Sequence, residues 1–246
     1  MNRDLVNILR LSVDSLPKCI RNSRLLFLIA QKVFNLPNHL YKFREKYKSG
    51  KIKHLESLYM KGNPMELPDP NSTSAINSFH IRLIKKYVLR KAPKTIIDVG
   101  CGSGYLISEL DKLIIDKDIA GIDIDPPEKS DRKFTKKNNI EFFRGNINDS
   151  IKHIKDNCYE MVICTHFLEH IEKPDFLIRE MRRISSKTLI LVCPLEKPFK
   201  WGFNYHVNFF PNTLSFLKLA RSDFESSLFF KYHERLGDIM YVEFKK

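Results

Sequence analysis

The sequence predicts an α/β fold built on a seven-stranded, mostly parallel sheet with helices on both faces and the last strand antiparallel. Three observations carry this expectation. From residue 76 onward, short apolar runs alternate with helix-period runs, the pattern of strands joined by helical crossovers. The first five apolar runs are nearly continuous, as strands covered on both faces require. The last two are separated only by Glu234–Asp238, too short for a crossover, so they close the sheet as an antiparallel hairpin.

The predicted strands are Thr95–Val99, Ile119–Ile124, Ile140–Phe143, Tyr159–Cys164, Thr188–Cys193, Leu228–Tyr232 and Ile239–Phe244. Between them, helices are expected over Tyr105–Leu113, Glu128–Lys137, Asp149–Lys155, Asp175–Ile184 and Thr213–Ala220; Glu128–Lys137 is nearly all polar. A further helix, Ile76–Leu89, leads into the first strand and places Ile76, Phe79, Leu83 and Val88 roughly on one face. Before it, Asn63-Pro64, Pro68-Asp69-Pro70 and Asn71-Ser72-Thr73-Ser74 form a dense group of turn formers. The expected division is a basic, helical N-terminal extension over 1–75 and an α/β domain over 76–246.

Composition bounds the function. The 246 residues are 43% apolar, too rich for a disordered chain. No run approaches the roughly 18–20 apolar residues of a membrane span. Asp4 and Asp14 interrupt the start, against a signal peptide. Five cysteines without a C-x-x-C pair (Cys19, Cys101, Cys158, Cys164 and Cys193) read as reduced thiols of a cytoplasmic protein, not a disulfide framework. The net charge of +13 favours anionic partners without choosing among nucleic acid, an acidic membrane surface and acidic substrates.

The chemistry concentrates after the first strand. Asp98-Val99-Gly100-Cys101-Gly102-Ser103-Gly104-Tyr105 is a strand end, a glycine-rich turn and a helix start. Glycines let the backbone turn sharply and approach a ligand without an intervening Cβ. In open α/β sheets this turn, outside the carboxyl end of the first strand, binds nucleotide-like ligands. The spacing is G-x-G-x-G; a dinucleotide fingerprint would place its third glycine at Tyr105. Asp98 would repel a pyrophosphate but suits a cation. Asp123, at the end of the second strand and about 20 residues on, is placed to accept hydrogen bonds from ribose hydroxyls. Asp125, before Pro126-Pro127, reads instead as a cap. The set describes a nucleoside with a cationic arm and no phosphate.

These residues resemble motif I of the class I S-adenosylmethionine-dependent methyltransferases, a Rossmann-like family. Gly145-Asn146-Ile147 resembles the family's third-strand motif, with Asn146 where an acid is usual. Cys164-Thr165-His166-Phe167-Leu168-Glu169-His170 resembles the fourth-strand end and L-E-H motif of the small-molecule subfamily. Thr188–Pro194 resembles strand five, and His206-Val207-Asn208-Phe209-Phe210 an H-x-x-x-[FY] element. Phe224 stands near the family's G-F pair, with Asp223 in place of the glycine. The resemblance spans about residues 76–246. It implies S-adenosyl-L-methionine as cofactor, with Asp98, Gly100, Gly102, Gly104, Asp123, Ile124, Asn146, Ile147 and Thr165 around it. No D/N-P-P-Y element follows the fourth strand, which disfavours methylation of exocyclic amino groups.

Methyl transfer from a sulfonium is an in-line displacement that requires positioning in a dry site. A hydroxyl acceptor also calls for a base. His166 at the end of the fourth strand and His206 after the fifth are the candidates. His166-Phe167-Leu168-Glu169-His170 also matches the H-x-x-E-H zinc pattern; because it follows a buried strand, no metal is expected. The loop Leu195–Pro211 carries Phe199, Trp201, Phe203, Tyr205, Phe209 and Phe210, either an acceptor wall or lid, or a satellite core under the loop. The expected acceptor is a small molecule or glycan methylated on oxygen; an RNA methyltransferase and a non-catalytic cofactor-binding subunit are the alternatives. In the extension, Arg21, Arg24, Lys32, Lys42, Arg44, Lys46, Lys48, Lys51 and Lys53 outnumber the acids. The extension reads as a helical layer over the cleft, with peripheral contact to an anionic membrane as a second reading and nucleic acid as a third.

Overall fold

The computed structural model describes residues 11–34, 43, 46–52, 55, 76–127, 134–135, 137–200, 204–221 and 229–245. Seven strands form one sheet: β1 (Thr95–Val99), β2 (Asp118–Asp123), β3 (Asn139–Arg144), β4 (Tyr159–Thr165), β5 (Ser185–Pro194), β6 (Phe229–Arg235) and β7 (Asp238–Phe244). Their spatial order is β3-β2-β1-β4-β5-β7-β6. Strands β1 to β5 pair in parallel, and β7 runs antiparallel to both β5 and β6. The strand order reverses between β1 and β4, the switch point at which open α/β sheets bind ligands. The β6–β7 link is a two-residue turn with Leu236 and Gly237 both at positive φ, 52° and 73°, the hand that matches strand twist.

Alternation along each strand builds two cores. Ile96, Ile119, Met161, Ile163, Ile190, Val192, Met240 and Val242 face one side of the sheet; helices α3 (Ser78–Lys91) and α4 (Tyr105–Asp111) cover it with Ile84, Val88, Leu106, Ile107 and Leu110. Ile97, Val99, Val162, Cys164, Leu189, Leu191 and Tyr241 face the other, under α5 (Ile147–Ser150), α6 (Pro174–Ile184) and α7 (Thr213–Ala220). The sides thus match the both-faces-covered pattern of the sequence.

Two local expectations are corrected. The buried stripe of α3 is His80, Ile84 and Val88, spaced by four, while Phe79 and Leu83 are half-buried. Asn77 caps this helix by accepting the His80 amide at 2.9 Å, and its Nδ2 donates to Asp238 at 2.8 Å, so helix and hairpin share one residue. The run Asp149–Lys155 is not one helix; α5 ends at Ser150 and a 3₁₀ turn, Ile151–His153, follows. The predicted helix Glu128–Lys137 lies largely outside the described residues, as do Trp201, Phe203, Asp223, Phe224, Lys42, Arg44 and Lys53.

The basic segment includes α1 (Lys18–Arg21) and α2 (Arg24–Phe34). It docks on the loop after β5. The backbone amide of Lys197 donates to Asp14 at 3.3 Å, and that of Lys200 to Asn22 at 2.8 Å. Arg21 lies over the Phe199 ring, and Phe43 meets Tyr205 edge-on at 4.9 Å. Tyr205 forms a small satellite core with Phe43 and Leu55, and Phe210 belongs to the main core. Of the described aromatics of this loop, Phe199, Tyr205 and Phe210 are buried and Phe209 is half-buried. On α2, Phe27 is buried while Leu25, Leu28, Ile29 and Val33 face outward.

Candidate active site

The glycine turn sits where β1 ends. Gly100, Gly102 and Gly104 all have positive φ, at 78°, 48° and 67°. The amides of Gly100 and Cys101 both donate to the Ile122 carbonyl, 2.8 and 3.2 Å away, which fixes the turn against β2. Gly100 has a second constraint: a Cβ there would lie 2.4 Å from the Phe167 ring. A Cβ on Gly102 would meet nothing within 4 Å, so the backbone there borders open space.

Two carboxylates flank the turn. Asp98 pairs in register with Gly121 of β2 and Ile163 of β4. It is buried, and its Oδ1 has no hydrogen-bond partner among the described residues. Burial first, and the neighbouring Asp123 second, push its pKa up to about 7. Asp123 accepts the Gly102 amide at 2.9 Å and the Asp125 amide at 3.2 Å. Burial raises its pKa, against these hydrogen bonds. Asp125 pairs with Arg144 of β3.

The remaining predicted cofactor residues lie at the carboxyl ends of β2, β3 and β4. Ile124 follows β2 and is half-buried; Thr165 ends β4. Asn146 caps α5 by accepting the Asn148 amide at 3.0 Å, which leaves its Nδ2 as a donor, and Ile147 is buried behind it. Asp98, the turn, Asp123, Asn146 and Thr165 therefore share one edge of the sheet.

The histidines are arranged otherwise than the sequence suggested. His166 has a left-handed backbone, φ 51°, and its amide donates to Val192 at 2.8 Å. Its side chain is only 2% exposed, with Nδ1 3.3 Å from Glu169 and Nε2 3.5 Å from Asp238. Burial would lower its pKa, but the two carboxylates, Asp238 foremost, raise it. Both nitrogens thus face acids, the place of a charged anchor, not that of a base open to a substrate. A 3₁₀ turn, Leu168–His170, follows, so His166 and His170 do not share a continuous helical face.

His206 is buried, and its Nδ1 lies 2.6 Å from Oε1 of Glu196. Asn204 donates to both oxygens of Glu196, at 3.2 and 3.3 Å. The His206 ring meets His170 edge-on at 4.7 Å. Glu169 completes the group; burial raises its pKa, but the surrounding histidines, His166 foremost, override this and hold it at about 2. The Glu169 carbonyl accepts the Val207 and Asn208 amides, at 2.8 and 3.1 Å, tying the turn after β4 to the loop after β5. Sequence reasoning singled out His206 but missed Glu196, ten residues away along a loop of no regular period.

Residues 97–193 match the family model for the methyltransferase domain. Among solved structures, the chain is similar to the plantazolicin methyltransferase BpumL in complex with SAH, at 14% identity and a TM-score of 0.58, covering 83% of this chain and 99% of that one. It is similar to an O-methyltransferase family protein from Burkholderia thailandensis, at 11% identity and a TM-score of 0.52, covering 68% of this chain and 55% of that one. A third likeness, to the methyltransferase domain of bacterial CtHen1-CN, has 16% identity and a TM-score of 0.50, covering 68% and 97%. At these identities the structural likenesses establish the fold.

Proposed function

We propose, from the premise that this chain is a class I S-adenosylmethionine-dependent methyltransferase, that it methylates an oxygen of a small molecule or glycan, in an active site formed by the carboxyl edge of β1, β2, β4 and β5. The cofactor supplies, when bound, an activated methyl group on a sulfonium. The residues present fit it. Asp98 is a buried acid whose unpartnered oxygen would be satisfied by a cationic group, and the turn contains no basic side chain for a phosphate. The backbone at Gly102 borders open space while its amide is held by Asp123, Asp123 is placed for the ribose hydroxyls, and Asn146 offers its Nδ2 to the adenine. These roles for Asp98, Gly100, Gly102, Gly104, Asp123, Ile124, Asn146, Ile147 and Thr165 are part of the proposal.

The observation that carries the oxygen acceptor is the Glu169–His170–His206 group, with Glu169 and His206 buried and His170 half-buried, and with its Glu196 support, next to the turn through Phe167. A hydroxyl must lose a proton on methylation, and this group is where the chain can receive it. His166 has another part: pinned between Glu169 and Asp238, it positions the carboxylate at the site's edge. The described part of the N-terminal extension, with α1 and α2, buttresses the loop after β5, and residues 76–246 are the catalytic unit.

The test is incubation of the full chain with methyl-labelled cofactor and fractionated cell extract. The reading expects label in a low-molecular-weight or glycan product as a methyl ether or ester. Label on nitrogen, or label released by ribonuclease, would replace it with another acceptor class. Transfer should fall at least 100-fold in His206→Ala, the usual size of a proton-transfer contribution.

A further inference from the structure

We propose that the outward face of α2 is a docking surface for an anionic lipid bilayer, to which the chain attaches peripherally and reversibly. This goes beyond the methyltransferase reading and does not depend on it.

The face is continuous. Leu25, Leu28, Ile29 and Val33 are 66%, 44%, 52% and 68% exposed, whereas Phe27 of the same helix is fully buried. At about 100° per residue the four, with Lys32 among them, cover roughly half of the helix circumference, and Phe27 falls on the other half. Single exposed apolar residues are ordinary on a protein surface, but a contiguous set marks a contact. Turning the helix over to hide this face would expose Phe27. It would also strain the ties of the segment to the loop after β5, where the Lys200 amide donates to Asn22 at 2.8 Å and Arg21 lies over the Phe199 ring.

Charge selects the occupant. From residue 15 through 44 the sequence has six basic residues and no Asp or Glu. Arg24 and Lys32 are exposed on α2, and Lys18 is exposed on α1. Lys32 lies within the apolar face, between Leu28 and Leu25 around the helix. Under a protein partner, an ammonium in that place would be desolvated and would need a carboxylate. At a bilayer it needs none supplied: its stem lies along the acyl boundary and its head reaches the lipid phosphates. A second copy of the chain would bring the same basic segment and the same net charge of +13, which disfavours self-association. The exposed apolar side chains named here are aliphatic, so they offer a nucleic acid no ring on which to stack a base.

Size sets the strength. The 11 residues of α2 make a helix about 16 Å long, so apolar burial alone gives only weak attachment. Anionic lipid supplies the second attraction, and each Lys or Arg near such a surface tightens binding about fivefold. Attachment therefore needs both the apolar face and the lipid charge, and it weakens as salt rises. The segment meets the body of the chain through the loop that carries His206, so a bound membrane bears on the same loop as the proposed acceptor site.

The experiment is co-sedimentation of the full chain with vesicles, over a lipid concentration series at low and at physiological salt. One set of vesicles is phosphatidylcholine; the other is an equimolar mixture of phosphatidylcholine and phosphatidylglycerol. Binding to the anionic set should be at least about tenfold tighter. Leu25→Gln, Ile29→Gln and Val33→Gln together should weaken it at least about tenfold, and Lys32→Gln alone about fivefold, on the anionic vesicles only. These three apolar residues are more than half exposed, so the triple variant should keep the native far-UV spectrum and thermal midpoint. Phe229→Gln, at an exposed apolar residue of β6, should leave binding unchanged. No binding to anionic vesicles, or equal binding to both sets, overturns the proposal. Salt-sensitive binding that the triple variant retains in full is attraction by net charge alone and overturns it too. So does a native dimer that binds no vesicle and that the triple variant converts to a monomer in sedimentation velocity, since the face then belongs to a second copy.

Discussion

Gly100 is the residue at which fold and site meet. Its φ of 78° and the 2.4 Å approach of a virtual Cβ to the Phe167 ring make any side chain doubly unwelcome. Gly100→Ala is expected to cost about 2 kcal/mol of stability, read by urea unfolding, and to weaken cofactor binding at least tenfold, because relief requires Phe167 or the turn to move. A variant with native stability and affinity would show that this contact is loose. Asp98 makes the pH prediction. Its folded pKa is raised to about 7, so in the free chain it is protonated over a range in which an ordinary aspartate is ionised. Ionisation of this group therefore disfavours the free folded chain as pH rises from about 4 to 7, whereas a bound cation favours it. Affinity for S-adenosylmethionine should accordingly climb with pH up to about 7 and level off above. Asp98→Asn should bind more weakly and without that slope, measured by titration at a series of pH values.

At the level of elements, the clearest dependence is that of α6 on β7. Arg182 of α6 holds Glu243 with Nε 3.0 Å from both carboxylate oxygens, and a guanidinium nitrogen meets the Ala220 carbonyl at the end of α7. Tyr241 donates to the same carboxylate at 3.0 Å. The group is buried, so removing one partner strands a charge. Glu243→Ala should lower unfolding free energy by about 3–5 kcal/mol in denaturant titrations, whereas a surface pair such as Arg179–Asp175 should contribute under about 1 kcal/mol. The strands were legible because their burial writes a continuous apolar run: β1 was read to the residue. Their polar ends were not, since Ser185-Ser186-Lys187 of β5 and His233-Glu234-Arg235 of β6 belong to the ladder without apolar signal. The candidate cofactor residues were legible for a related reason, being local to strand ends. The Glu169–His170–His206 group was not. It needs a left-handed His166, a 3₁₀ turn and a loop contact that no periodicity encodes.

Across the whole molecule, the basic N-terminal segment and the loop after β5 behave as one unit. Asp14, Asn22, Arg21 and Phe43 each reach that loop, which in turn carries Glu196, Asn204 and His206. The segment therefore bears on the acceptor end through the loop's shape. A double-mutant cycle between Phe43→Leu and Tyr205→Leu should return a coupling of about 1 kcal/mol, the range of an edge-to-face aromatic pair; additivity would mean the two pack independently. The outward apolar residues of α2, among Arg24 and Lys32, sit on the far side of this contact. No helix among the described residues is long and apolar enough to cross a membrane.

The central claim is that the acidic, glycine-lined edge of the sheet holds the methyl donor. Isothermal titration of the full chain with S-adenosylhomocysteine tests it most directly. The account predicts one site per chain, abolished or weakened at least tenfold by Asp123→Ala, and no heat with a nicotinamide dinucleotide. Saturable dinucleotide binding in the absence of any response to S-adenosylhomocysteine would contradict it.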